Sequence, residues 1–238
     1  MIKPLTPSIS DKIDSGLNFQ FYPGKDAIDG ITPLQNKPLL FLVHGRGGNA
    51  NVPWVFAKSF LSIDPIIVSV EAPVMDLELG GYSWWQIAKD KLINNEELLL
   101  ALQAFDKFAE FFIDRHKIDR NRVYGCGFSQ GGSLLGSYSV INPSFFRALA
   151  MLSSYIAKPI VEGGFSHDFK YSIQNKSTEY FLFHGDADEV VPFKIHAKTK
   201  VYLASSGLRV SEFIDSSVHK VSIGGIKAMT AWFESDKR

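Results

Sequence analysis

Apolar residues along the chain fall into two kinds of run. Five stretches are short and apolar nearly throughout: Leu39–Val43 (LLFLV), Ile66–Val70 (IIVSV), Arg122–Gly127 (RVYGCG), Ala148–Leu152 (ALAML) and Tyr180–Phe183 (YFLF). Runs of this kind suit strands buried on both faces, as in a parallel sheet covered by helices. A sixth run, Arg209 to Ile214, alternates more and is expected as a strand near a sheet edge. The longer segments between them have helical spacing. Leu98, Ala101, Leu102, Phe105, Phe108, Ala109 and Phe112 recur at i, i+3, i+4 intervals and mark one face of a helix. Asn94 or Asn95 can cap its start, and Glu96 and Glu97 suit its positive end. Further helices are expected after Ser129, after Pro192 and after Gly225. Strand and helix in alternation predict right-handed crossovers and a three-layer α/β domain spanning residues 1–238. Ligands of such sheets bind at the carboxyl ends of the strands, so the loops that follow strands are the ones to inspect.

Composition narrows the class. Of 238 residues, 45% are hydrophobic, enough for one large core. Lys and Arg together number 25, as do Asp and Glu, so net charge provides no attraction to nucleic acid or to an anionic membrane surface. The single cysteine, Cys126, excludes an intrachain disulfide. The N-terminal stretch MIKPLTPSISDKIDSG lacks the apolar core of a secretory signal. No run approaches the roughly 18 apolar residues of a membrane span. A cytoplasmic protein without an integral membrane segment is expected. The oligomeric state is left open, a homodimer included.

The strongest chemical motif is Gly127-Phe128-Ser129-Gln130-Gly131, a G-x-S-x-G between an expected strand and an expected helix. In that context the pattern describes a nucleophile elbow: the serine sits on a tight turn, flanking glycines let strand and helix approach, and the hydroxyl projects above the sheet. An α/β-hydrolase then needs an acid after a later strand and a histidine after the last one. The loop HGDADEVVP has two aspartates, Asp186 and Asp188, and the loop DSSVHKVS has His219. Asp215 is a further candidate acid. Of the other histidines, His44 and His184 end strands in His-Gly pairs and read as supporting residues. His116 closes the long helix, while His167 and His196 read as solvated.

HGRGG, GFSQGG, HGDADEVVP and HKVS, in this order, resemble the phospholipase/carboxylesterase family of small serine hydrolases, which includes acyl-protein thioesterases and bacterial carboxylesterases. The resemblance runs from about Leu39 to the C-terminus. It implies the α/β-hydrolase fold and a triad of Ser129, Asp188 and His219, with Asp186 at a variable position. It also implies an oxyanion hole. The fold takes one donor from the amide after the nucleophile, here Gln130, and the family's second donor maps to the Arg46 amide. The family often has leucine at position 46 and usually has glycine where this chain has Val218. The Arg46 side chain could face an acyl pocket or a substrate carboxylate, or point to solvent.

Trp54, Tyr82, Trp84, Trp85, Tyr155 and Phe165 stand in loops expected at the active edge. Trp54, Trp84 and Trp85 are the candidate substrate-binding residues; plugging the core beneath the loops is the alternative for any of them. HGRGG lacks the lysine and spacing of nucleotide-binding glycine loops. Cys126 lies within a strand and reads as a small buried filler. No metal or organic cofactor is implied. The expected activity is hydrolysis of a small carboxylic ester through an acyl-enzyme on Ser129. A thioesterase or lysophospholipase-type acyl hydrolase is the runner-up, followed by a non-catalytic binding scaffold.

Overall fold

A computed structural model of the chain describes residues 2, 4–7, 12, 14–25, 34, 37–87, 93–162 and 178–235. All six expected strands form. They are β2 (Leu39–Val43), β3 (Ile66–Val70), β6 (Val123–Phe128), β7 (Ala148–Leu152), β8 (Glu179–Gly185) and β9 (Val210–Asp215). They pair in parallel in the order β3-β2-β6-β7-β8-β9, which puts β9 at an edge as its alternating pattern requires. A strand not expected from the sequence, β1 (Phe19–Tyr22), closes the other edge antiparallel to β3. A short hairpin of β4 (Val74–Met75) and β5 (Tyr82–Ser83) stands apart from the main sheet.

The unbroken apolar runs have the cause expected of them. In β2, Leu39, Phe41 and Val43 face one core cluster while Leu40 and Leu42 face a second. The first cluster lies under helices α1 (Asn95–His116) and α2 (Gln130–Ile141), where Phe105, Phe108, Leu134 and Tyr138 are fully buried. The second lies under a 3₁₀ helix (Val52–Ile63) and α5 (Ile223–Ser235), through Phe56, Phe60, Met229 and Phe233. Every apolar position assigned to the face of α1 is buried, and Asn94 caps the helix by accepting the Glu96 and Glu97 amides. Helix α5 starts before Gly225, because Ser222 Oγ accepts the Gly225 N–H and caps it two residues earlier. A short α3 (Lys158–Val161) and α4 (Phe193–Ser205) complete the helices discussed. Among the described residues no helix is long and apolar enough to cross a membrane. Phe165 and His167 lie outside the described residues.

Candidate active site

At the end of β6 the chain turns through Ser129 with φ 52° and ψ −122°, a conformation that costs a non-glycine residue energy and is held only by its surroundings. Two glycines make the turn possible. A Cβ on Gly127 would lie 2.5 Å from the Gly132 amide, and one on Gly131 would lie 2.4 Å from the His44 carbonyl. The Ser129 N–H donates to Leu152 O at 2.8 Å, which fastens the elbow to β7. The serine hydroxyl therefore stands at the strand ends, beside the first turn of α2.

His219 meets it there. Its Nε2 is 2.8 Å from Ser129 Oγ and its Nδ1 is 2.7 Å from Asp188 Oδ2. Asp188 is 4% exposed, and its other oxygen accepts the Val190 and Val191 amides at 2.9 Å each, so the carboxylate is oriented before it meets the imidazole. Asp186 is exposed. Asp215 plays a different part, accepting the Ser217 amide and the Ser217 and Ser222 hydroxyls, which shapes the loop carrying His219. Burial works to raise its pKa, but these hydrogen bonds outweigh it and lower the pKa. A Cβ on Gly185 would lie 1.9 Å from Ser217 O, so a glycine at the end of β8 lets the histidine loop come close. Val218, where the family resemblance leads to an expectation of glycine, has no positive φ and its side chain is exposed, so the loop accepts it.

Two segments meet at this serine, one opening with Gln130 and one running from Gly45 into Arg46. Gln130 opens α2 directly after it. Gly45 packs against the nucleophile from the other side, where an added Cβ would be 3.1 Å from Ser129 Cβ. From Gly45 the chain makes a tight turn closed by Gly48 N–H to Gly45 O at 3.1 Å, with Arg46 and Gly47 (φ 70°) at its centre. The Arg46 guanidinium takes neither direction considered from the sequence. It is paired with the carboxylates of Asp76 and Glu78, on the loop between β4 and β5. An arginine so neutralised is not a ready anchor for a substrate carboxylate.

Several sequence expectations need correction. Trp84 and Trp85 are 1% and 0% exposed, so they do not wall an open pocket. They plug the space beneath it: Trp84 Nε1 donates to His44 O, and the Gln130 side chain accepts the Trp84 amide and donates to Trp85 O. Trp54 packs on the second core cluster, and its indole N–H is given to Gln20 on β1. Tyr82 is half-buried against the first cluster; Tyr155, beyond β7, is half-buried with its phenol pKa raised by burial. The exposed apolar side chains on the loops of the site are aliphatic instead, and they stand among exposed charged ones such as Glu189 and Lys220. Val190 follows Asp188, Val218 precedes His219, and Leu77 and Leu79 lie on the β4–β5 loop. Leu79 abuts Gly47. Isolated exposed aliphatics carry no sequence signature, because only the fold gathers them.

His196 is buried rather than solvated: it bonds Glu212 and stacks on His184 at 4.5 Å between ring centroids. His184 and His44 are buried supports as expected. His184 Nε2 lies 2.8 Å from Val191 O, on the turn that orients Asp188. His44 Nε2 accepts the Ala72 amide, so its Nδ1 carries the proton and donates to Gly45 O, tying the glycine turn to the end of β3. Burial lowers the pKa of all three histidines, which favours their neutral form. His116 ends α1, half-buried against Phe112. Cys126 is fully buried beside Met229, and desolvation pushes its thiol pKa up, away from thiolate chemistry.

The fold recurs in known proteins. Among solved structures, a carboxylesterase from Bacillus cereus superposes with a TM-score of 0.77 at 18% identity, over 95% of this chain and 98% of that one. Esterase PE8 superposes with a TM-score of 0.75 at 19% identity, over 92% and 98%. At such identities the likeness shows the fold, which is that of the α/β-hydrolases. Acyl-protein thioesterase 1 of Mycosarcoma maydis is 27% identical over 194 residues, 73% of this chain and 77% of that protein. The protein of the same name from Kluyveromyces lactis is 27% identical over 183 residues, 71% and 77%. The phospholipase/carboxylesterase family model matches residues 32–235, which take in the elbow, both partner loops and the glycine turn, and the chain therefore belongs to the phospholipase/carboxylesterase family.

Proposed function

We propose that this chain is a serine carboxylesterase that cleaves small carboxylic esters through an acyl-enzyme on Ser129. The observation that carries the reading is the unbroken hydrogen-bond line from Ser129 Oγ through His219 to the buried Asp188. Ser129 Oγ attacks the acyl carbonyl while His219 Nε2 takes its proton, and Asp188 holds Nδ1–H and stabilises the imidazolium. The amides of Gln130 and Arg46 receive the charge on the carbonyl oxygen. The alcohol departs with the proton from His219. Water then attacks the acyl-enzyme, His219 again acting as base, and the acid is released. Assembly of these groups on one sheet supports reading residues 1–238 as a single domain.

A thioester substrate is the second reading, favoured by the names of the two relatives. The two share every residue role above, because an oxygen or a sulfur leaving group can follow the same tetrahedral intermediate. Incubation with a fluorophosphonate, then hydrolysis of matched ester and thioester pairs of increasing acyl length, tests both. Wild type should label at Ser129, and Ser129→Ala should lose labelling and on the order of 10³-fold or more in kcat. Near-native turnover by purified Ser129→Ala would sink the proposal. A kcat/KM consistently higher on thioesters would transfer it to the second reading.

A further inference from the structure

The loop between β4 and β5 packs on the glycine turn next to Ser129, and the residue that organises it matches no motif. Asp76 begins the turn between β4 and β5 and is 1% exposed. Its Oδ1 accepts the amides of Glu78 at 3.1 Å and Leu79 at 3.0 Å. Its Oδ2 accepts the Ser83 hydroxyl at 2.8 Å and Arg46 Nε at 2.7 Å. The Ser83 oxygen in turn accepts the Gly47 amide at 3.2 Å. One buried carboxylate thus holds both central residues of the glycine turn, Arg46 by its side chain and Gly47 by its amide. The backbones are locked as well. Tyr82 N–H donates to Gly48 O at 2.8 Å, and a Cβ on Gly81 would lie 2.3 Å from Gly47 O. Burial by itself would raise the Asp76 pKa, but its donors more than compensate and hold it at about 2, which favours the ionised carboxylate that these donors need.

We infer that Asp76 is a positioning residue for the oxyanion hole, fixing the direction of the Arg46 amide through its bonds to Arg46 and Ser83. The Gly48-to-Gly45 hydrogen bond sets the peptide before Arg46, and the Gly47-to-Ser83 bond sets the peptide after it. The guanidinium clamp holds the Cα between them. With all three fixed, rotation about the Arg46 N–Cα bond is restricted, and the Arg46 amide, next in the chain after the Gly45 that packs on Ser129, keeps one orientation. Preorganised donors stabilise a developing charge because nothing need reorganise as it forms. An aliphatic side chain at position 46 could not make this link, so the clamp depends on the guanidinium of Arg46.

The inference rests on the proposed roles of Ser129 and the Arg46 amide, and its test separates the two. Wild type, Asp76→Asn and Ser83→Ala are compared on a small neutral ester for kcat, KM and affinity for a trifluoromethyl ketone. That ketone forms an anionic hemiketal on a serine and so reports on oxyanion binding directly. Asp76→Asn should lose about 10- to 100-fold in kcat, up to the roughly 10²–10³-fold that follows loss of a whole donor. Its KM should stay within about threefold, and ketone affinity should fall in parallel with kcat. Ser83→Ala keeps the Arg46 pair and should shift the same two quantities by about 3- to 10-fold, so a poorly folding Asp76→Asn does not end the test. A kcat within twofold of wild type in both variants, or a loss expressed in KM with ketone affinity intact, overturns the inference. If wild type fails to label with the fluorophosphonate at Ser129, the functional reading itself has failed instead.

Discussion

At the residue scale, the choice between two aspartates two positions apart decides whether the histidine can act. A carboxylate that accepts the imidazole Nδ1–H keeps the other nitrogen free to take a proton. Asp188 makes that bond and is fixed by two turn amides; Asp186 lies in solvent. Asp188→Asn should therefore lower kcat by about 10³- to 10⁴-fold, and Asp186→Asn by less than about threefold. Steady-state rates of the two purified variants on one ester check this. Equal, small losses would remove Asp188 from the proposed triad. The sequence alone left both aspartates open at this point; family resemblance selected one, and the reason visible in the fold is the turn that buries it. Arg46 is the contrary case, since nothing near it in sequence announces the carboxylates that neutralise it.

At the element scale, α2 carries three glycines that helix propensity alone would replace, and Gly131 and Gly136 make an informative pair. Alanine is favoured over glycine by roughly 1 kcal/mol in a helix interior. At Gly131 that gain is overwhelmed, because the added Cβ would strike the backbone carbonyls of His44 and Val43. At Gly136 the only close clash would be with the end of the Met151 side chain, a flexible group, with Ile156 Cγ1 at an ordinary 3.5 Å. Gly131→Ala should lose at least about 10²-fold in activity as the elbow and the glycine turn are forced apart. Gly136→Ala should stay active, with stability within about 1 kcal/mol of wild type. Urea unfolding and ester turnover on both proteins would show whether the close approach at the elbow, rather than helix composition, is what demands glycine. Helix α1 needs no such constraint: its apolar stripe, cap and acidic first turn are all local, and all were readable in the sequence.

At the scale of the whole molecule, buried titratable groups should set the acid limit of stability in two stages. His44, His184 and His196 have folded pKa values lowered by burial. Below about pH 6.5 the unfolded chain binds protons that these folded residues resist, so their contribution is present above that value and is lost as pH falls through it. Asp76 and Asp215 are also lowered, against burial and through their hydrogen bonds. Their contribution persists to about pH 4 and disappears below it, Asp76 last as its folded value near 2 is approached. The urea midpoint should decline from about pH 6.5 and then more steeply below about pH 4. His196→Gln should flatten the first stage. A midpoint constant from pH 8 to 4.5 would contradict the neutral, buried state of these histidines.

What the sequence by itself determined is what neighbouring residues specify: six strands from short apolar runs, helices from three- and four-residue spacing, and the serine, acid and histidine loops from their motifs and order. Each signal lies within a few residues, because strand and helix periods and turn sterics are local. The tertiary structure alone decided the remainder. It paired β1 with β3 at an edge and buried Trp84 and Trp85 beneath the site. It stacked His196 on His184 and joined Arg46 to Asp76, thirty positions along the chain. These partners are distant in sequence, so no local pattern records them. They meet only where the sheet and its crossovers carry separate loops to the same strand ends, and there burial and unmet hydrogen-bonding capacity determine which side chains must pair.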